Sequence, residues 1–270
     1  MRERQQKILE HVREVGIASF HDLAEMFGVS SFTIRRDVDY LAQSRLLVRI
    51  KGGAQRIETA SQFHEPGLPS RLQVNLKQKE KIAEKALEFI FPGDSIFLDG
   101  SSTIACLARK LAQGSKNITV ITNSVLVALE LAENANIRVI GLGGILDGET
   151  MSFVGFDADS HANSFYIDKA FFSCTGLILE EGTFENAAFN RNTKLLVAER
   201  AQEVYLLLDS SKFGKRALNH VFRTEEIDVL ITEKALMPQD QKIMETGRVQ
   251  VELAGKKRER MKDEIADGRG

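Results

Sequence analysis

The chain has 270 residues, of which 43% are hydrophobic and 27% charged, and its net charge is −2. No apolar run reaches the ~18 residues that cross a bilayer, and MRERQQK at the start lacks the apolar segment of a secretory signal. The two cysteines form neither a disulfide framework nor a metal-site spacing, so we expect a cytoplasmic protein with no metal, no cofactor and no membrane contact.

The first 57 residues have the spacing of a winged helix-turn-helix. Apolar residues that recur on one face predict a helix over about residues 2–15 and a second over 20–27. Gly28 follows as the turn, and a third helix is predicted over 29–41. Two β-prone runs around a Gly-Gly pair then predict a hairpin, the wing, over 46–57.

The residue pattern of the third predicted helix indicates contacts with a DNA major groove. Its N-terminus is small and can be capped by a serine, and its basic residues face away from its apolar stripe, so it can bring side chains to base edges and phosphates. A solvated surface helix is the alternative for this stretch alone. Residues 1–57 carry ten Lys and Arg against seven Asp and Glu, whereas the remainder carries 26 against 31, so the basic part is expected to contact DNA. The predicted DNA-binding residues are Ser30, Ser31, Thr33, Arg35, Arg36, Arg49 and Lys51.

Residues 1–57 resemble the N-terminal domain of the DeoR family of bacterial transcriptional regulators. The matching motifs are RxxxIL near the start, LAEMFGVSSFTIRRDVDYL, and LLVRIKGGA. The resemblance implies that this domain binds operator DNA.

The rest of the chain predicts a linker and an α/β domain. Residues 58–75 begin with ETASQFHEPGLPS, which has no period and reads as a linker. Over 76–254 a helix is followed by strand-like runs that alternate with further helices: SIFLD, ITVIT, IRVIGL, DKAFFSC, EVYLLLD, DVLIT and, at an edge, RVQVEL. Continuous apolar runs of this kind predict a mostly parallel sheet covered on both faces. The charged tail over 255–270 is expected to be disordered.

Small polar loops follow several of these strands, and ligands bind at the carboxyl ends of parallel strands. A helix N-terminus after DGSST would attract an anion, Lys212 is the cation expected at a phosphate, and Asp99 and Asp209 would accept bonds from sugar hydroxyls. A single polar loop of this kind is common at the end of a strand. Five of them at one edge of the sheet predict a ligand-binding site. The candidates are Asp99, Gly100, Ser101, Ser102, Thr103, Thr122, Asn123, Gly143, Gly144, Gly176, Glu185, Lys194, Asp209 and Lys212, although a helix surface is an equal alternative for Glu185 and Lys194.

This second part resembles the DeoR sensor domain through LDGSST, VITNS, the glycines at 143–144, SCTG and LDSSKFG. The resemblance implies a fold similar to ribose-5-phosphate isomerase and a phosphorylated sugar or sugar alcohol as effector. FENAAFNRNTK and FFSC are similar to the L-fucose operon activator of that family, which favours a deoxy-ketose phosphate. Many relatives carry a glutamate where this chain has Asn190, so no acidic contact is carried over to that position.

Two functions follow from these patterns. The first is a sugar-phosphate-responsive transcriptional regulator, expected to be a repressor that binds paired half-sites as a dimer or tetramer. The second is a sugar-phosphate isomerase or hydrolase with a fused N-terminal domain, which would need a general base near a substrate carbon. Only Asp99, Glu181 and Glu185 are acids expected near the rim, and no nucleophile–base pair is apparent, so the regulator is favoured over the enzyme.

Overall fold

The computed structural model describes residues 3–44, 46–56 and 67–256. The end of the predicted wing, most of the predicted linker and the tail from residue 257 lie outside the described residues. The helices are α1 (Glu3–Val15), α2 (Phe20–Phe27), α3 (Ser31–Gln43), α4 (Leu68–Gln73), α5 (Leu76–Ala86), α6 (Ser102–Ala112), α7 (Val125–Leu131), α8 (Phe156–Ala162), α9 (Ala188–Ala198) and α10 (Pro238–Thr246). The strands are β1 (Ile17–Ser19), β2 (Leu47–Ile50), β3 (Gly53–Arg56), β4 (Ser95–Leu98), β5 (Ile118–Thr122), β6 (Ile137–Gly141), β7 (Ile145–Asp147), β8 (Ser152–Val154), β9 (Ile167–Phe172), β10 (Gly176–Ile178), β11 (Gly182–Glu185), β12 (Ala201–Leu207), β13 (Asn219–His220), β14 (Val229–Thr232) and β15 (Gln250–Leu253).

The helix-turn-helix predicted from the sequence is confirmed. Helices α1 to α3 and the hairpin β2–β3 enclose one small core of apolar side chains. The turn residue Gly28 has a left-handed backbone with φ 61°, as expected for a residue that ends a helix. The sequence reading missed β1, which pairs antiparallel with β3 and makes the wing three-stranded. A strand of three residues is too short to leave a pattern.

The larger domain is built on a seven-stranded sheet in the order β15-β14-β12-β9-β4-β5-β6. Every neighbouring pair in this sheet is parallel, and one apolar cluster covers each face. The parallel sheet, and RVQVEL as an edge strand, were both predicted correctly. Because the chain leaves β4 toward β6 and later leaves β9 toward β15, the direction of strand addition reverses between β4 and β9.

Three smaller features were not predicted. Strands β7 and β8 form a separate hairpin, and β10, β11 and β13 form an antiparallel sheet beside the main one. Helix α4 lies within residues 58–75, with Leu68 buried and its amide donating to the Glu149 carbonyl at 3.0 Å. Within the described ranges, no helix is both long enough and apolar enough to cross a bilayer.

The wing contacts the larger domain. Val48 of β2 packs against a small apolar cluster formed by Ile178, Phe184 and Ala217. A Cβ added to Gly214, whose φ is +75°, would lie 3.2 Å from Val48 Cγ1. Strand β2 therefore packs on both domains.

Candidate functional site

The N-terminus of α3 is organised by its cap. Ser30 is the N-cap residue, and its Oγ accepts a hydrogen bond from the Thr33 amide at 3.3 Å. The Ser30 and Thr33 hydroxyls also lie 3.0 Å apart. Ser30, Arg36 and Lys51 are exposed, and Ser31, Thr33 and Arg49 are half-buried. The start of α3 thus presents hydroxyls on the surface, and its second turn and the hairpin add cations, an arrangement suited to contacts with a DNA groove and its phosphates.

Two of the arginines are held at the ring of Phe20. The Arg35 guanidinium lies 5.5 Å and the Arg49 guanidinium 5.9 Å from the ring centroid. Arg49 Nη1 also lies 3.1 Å from Asp39 Oδ1. Stacking on an aromatic face orients a guanidinium at little cost in hydration. The wing and α3 therefore form one basic surface.

Asp37 has a structural role that the sequence reading did not assign. Its carboxylate is buried and accepts hydrogen bonds from Arg4 Nε at 2.6 Å and from Gln5 Nε2 at 3.0 Å. These bonds join α1 to the inner face of α3. The acid in TIRRD therefore sets the angle of the helix and does not face DNA.

A cavity of about 190 Å³ lies at the carboxyl ends of β4 and β5. The end of β4 lies beside the point where the direction of strand addition reverses, which is the usual place for a ligand in an open parallel sheet. The lining residues are mostly polar: Arg71, Phe97, Asp99, Gly100, Ser101, Asn123, Glu149, Thr150, Glu185, Asn186, Ala187, Asn190, Thr193 and Lys194.

Lys194 is the centre of a buried ionic cluster in this cavity. Its ammonium donates to Glu185 Oε1, lies 3.2 Å from Asp99 Oδ2 and donates to the Ser173 carbonyl at 2.5 Å. Burial alone would lower the pKa of Lys194, but the carboxylates of Glu185 and Asp99 outweigh burial and hold that pKa above its usual range. The lysine is therefore a permanent cation whose charge is already balanced.

The two carboxylates of the cluster have further donors. Asp99 accepts from the amides of Ser101 at 2.8 Å and Ser173 at 3.0 Å. Glu185 accepts from Thr175 Oγ1 at 3.0 Å. Both acids are consequently fixed in position as hydrogen-bond acceptors.

Two amide side chains leave an acceptor atom available in the cavity. Asn123 donates through Nδ2 to the Phe153 carbonyl at 3.2 Å. The Oδ1 atoms of Asn123 and Asn190 are buried, and within the described ranges no donor reaches either of them. A buried acceptor without a donor costs free energy, so hydroxyl donors of a ligand are suitable partners.

Another part of the lining combines the loop that precedes α6 with an arginine. Ser101 caps α6, accepting from the Ile104 amide at 3.3 Å. A Cβ at Gly100 would overlap Ser152 Oγ, so a larger residue at this position would have to displace that buried hydroxyl of β8. The Lys79 ammonium donates to the Arg71 carbonyl at 2.5 Å. Arg71 is the part of this lining most suited to an anion, because its guanidinium carries several donors in one plane.

The structure brings six of the predicted effector residues together and leaves eight outside the lining. The six in the cavity are Asp99, Gly100, Ser101, Asn123, Glu185 and Lys194. Of the others, Thr122 donates to the Leu98 carbonyl at 2.7 Å, and Asp209 accepts from Asn75 Nδ2 at 3.0 Å. The remaining six are two buried residues of the first turn of α6, three glycines of the β6–β7 loop and β10, and a lysine in a short 3₁₀ turn: Ser102, Thr103, Gly143, Gly144, Gly176 and Lys212.

Several lining residues were not found from the sequence. Arg71 lies on α4, in a stretch whose composition predicts a linker, although Pro69 in its first turn is a helix-start signal. Glu149 and Thr150 reach the cavity from the β7–β8 turn. Among the residues that the structure describes, no group of three or more His, Cys, Asp or Glu side chains is arranged to hold a metal ion.

Comparison with known proteins gives matches over nearly the whole chain. The DeoR-like helix-turn-helix domain matches residues 4–60, and the DeoR C terminal sensor domain matches residues 74–234. The L-fucose operon activator of Haemophilus influenzae is 31% identical over 247 residues, covering 91% of this chain and 97% of that protein. The glycerol-3-phosphate regulon repressor of Escherichia coli is 28% identical over 253 residues, covering 93% and 98%. Ribose 5 phosphate isomerase A from Neisseria gonorrhoeae is 20% identical, with a TM-score of 0.38 over 50% of this chain and 52% of that one.

Proposed function

Because this chain belongs to the DeoR family of transcriptional regulators, we propose that it represses a carbohydrate-catabolism operon and releases its operator when a phosphorylated sugar binds. We propose that it acts in the cytoplasm, where operator DNA lies, as a dimer or tetramer that reads two half-sites. Repression is favoured because occupying an operator is sufficient for it, whereas activation needs a further contact with the transcription machinery.

The cavity at the ends of β4 and β5 is the observation that supports a phosphorylated sugar. The lining offers Arg71, whose guanidinium suits a phosphate. It also offers acceptors to hydroxyl groups, namely the amide oxygens of Asn123 and Asn190 and the carboxylates of the Lys194 cluster. A small molecule with an anion at one end and several hydroxyls satisfies both sets of groups.

Arg71 is the cation that we propose for the phosphate. Lys194 lies in the cavity but is balanced by two carboxylates, and Lys212 is outside the lining. Arginine also offers several N–H donors in a fixed plane that matches phosphate oxygens.

We propose that the cavity senses its ligand and does not transform it. Asp99, Glu149 and Glu185 are the acids that line the cavity. The two buried ones, Asp99 and Glu185, are held by Lys194 and by further donors. A general base must instead be able to take a proton from carbon. Steady turnover of any sugar phosphate by the purified protein would contradict this proposal.

Modest coupling is sufficient for the switch. Specific over non-specific DNA binding is worth ~4–10 kcal/mol, and allosteric coupling is typically ~1–3 kcal/mol. A ligand that favours one arrangement of the two helix-turn-helix domains changes the spacing of the α3 helices. To release the operator, it needs to remove only part of the free energy by which specific binding exceeds non-specific binding.

The test is thermal melting of the full-length protein with a panel of sugar phosphates and their unphosphorylated parents. A ligand at 100 times its Kd adds about 2.7 kcal/mol of stability, and a shift with one phosphate but not its parent is expected. The same compound should release the protein from DNA fragments in a fluorescence anisotropy titration. No shift with any phosphate would contradict the proposed effector class while leaving the DNA-binding role standing.

A further inference from the structure

Phe32 is an exposed phenylalanine on the outer surface of the DNA-binding domain. Its side chain is 76% exposed, although it is one of the large apolar residues of the chain. It is the second residue of α3, next to the cap formed by Ser30. An exposed aromatic ring in the first turn of a groove-reading helix indicates a contact that DNA completes.

The helical geometry places Phe32 at the centre of the outward face. Successive residues turn by about 100°, so Phe32 lies about 200° from Ile34, which is fully buried. Arg36 follows four residues later on the same face and is exposed. The ring and this cation therefore form the part of α3 farthest from the core.

The neighbouring arginines do not occupy this position. Arg35 and Arg49 are drawn toward Phe20, with guanidinium-to-centroid distances of 5.5 and 5.9 Å, and Arg49 is also paired with Asp39 at 3.1 Å. These cations extend the basic surface toward the wing. The ring of Phe32 therefore occupies the middle of the outward face of α3, with polar residues around it.

We infer that Phe32 is a specificity residue that packs on the C5-methyl group of a thymine in the major groove. This inference rests on the proposed function, since it requires α3 to enter that groove. In the major groove the thymine methyl is the apolar group, and the other base-edge features are hydrogen-bond donors and acceptors. Covering those with a phenyl ring would remove their water without replacing the hydrogen bonds, so a thymine is the base that the ring favours.

Uracil substitution tests the contact because uracil lacks only the methyl group and keeps the base pairing of thymine. The probe is a fluorescent duplex that the full-length protein enriches from a random-sequence pool. Each thymine is replaced by uracil in turn, and the Kd is measured by anisotropy. One position, or a symmetric pair, is expected to weaken binding about fourfold, the value of one buried methyl-sized group.

Three variants assign that loss to Phe32. Phe32→Ala should bind more weakly and no longer distinguish thymine from uracil at the sensitive position, whereas Phe32→Leu should keep the discrimination. Tyr166→Ala removes a ring that is 83% exposed on the other domain and should retain the wild-type ratio. Because Phe32 is exposed, all variants should fold.

Two results would overturn the inference: wild-type affinity that is unchanged at every uracil, or a Phe32→Ala variant that keeps the wild-type ratio of Kd values. Failure of the full-length protein to enrich any DNA sequence would overturn the proposed function itself, and the thymine contact with it. The two failures are therefore distinguishable.

Discussion

Replacing Lys194 with methionine is expected to destabilise the sensor domain strongly while leaving the helix-turn-helix folded. The ammonium compensates Glu185 and Asp99, whose side chains are only 10% and 4% exposed. Without it, two buried carboxylates face each other with no cation between them. Removing one partner of a buried ion pair costs about 3–5 kcal/mol, because the remaining charge stays out of water.

The assay is thermal unfolding followed by circular dichroism, since the chain has no tryptophan. In a domain of 150–250 residues, 1 kcal/mol corresponds to ~2–4 °C, so the melting temperature should fall by about 6–20 °C. Lys77→Met, which removes an exposed lysine from α5, is the matched control and should change stability by less than about 0.5 kcal/mol.

A double variant separates charge from packing. Adding Glu185→Gln to Lys194→Met removes one of the uncompensated charges, so the two changes should be non-additive by about 0.5–3 kcal/mol. If Lys194→Met alone costs less than about 1 kcal/mol, the ion cluster does not exist as described and the reasoning about a balanced lysine fails.

Three further outcomes are expected. Arg36→Ala should weaken operator binding by ~1–3 kcal/mol if its guanidinium reads a guanine; equal affinity in an anisotropy titration would remove it from the interface. Arg71→Gln should abolish the melting shift caused by a sugar phosphate and keep DNA binding, whereas Lys212→Ala should keep both; the reverse pattern would move the phosphate to Lys212. Gly100→Ala should cost ~1–3 kcal/mol by overpacking, because the added methyl overlaps Ser152 Oγ, and a variant that melts like the wild type would contradict that close approach.

Features with a local cause could be predicted from the sequence. A cap such as Ser30 acts on an amide three residues away, and a buried parallel strand is a continuous apolar run. The strand-end loops were predicted for the same reason, and two of them, at Asp99 and Asn123, do line the cavity.

Features that depend on distant segments could not be predicted. Asp37 meets Arg4 across 33 positions. The cation proposed for the phosphate, Arg71, lines the cavity from α4, in a stretch whose composition predicts a linker. Asp209 has the composition of a ligand-binding loop, yet its carboxylate accepts from Asn75, 134 positions earlier. Composition alone cannot tell a carboxylate that faces a cavity from one that holds two segments of the chain together.

The position of Val48 has a consequence for engineering hybrid regulators. A chimera joined after the wing would bring a foreign residue against Phe184 and Gly214, where a larger side chain has no room and a polar one would be buried among apolar groups. The sensor half would then lose packing that it shares with β2. A junction before the wing, after Gln43, would instead divide the core that β2 and β3 share with α1 to α3. A hybrid joined after the wing therefore needs an apolar residue of the size of Val48 to be kept at that position.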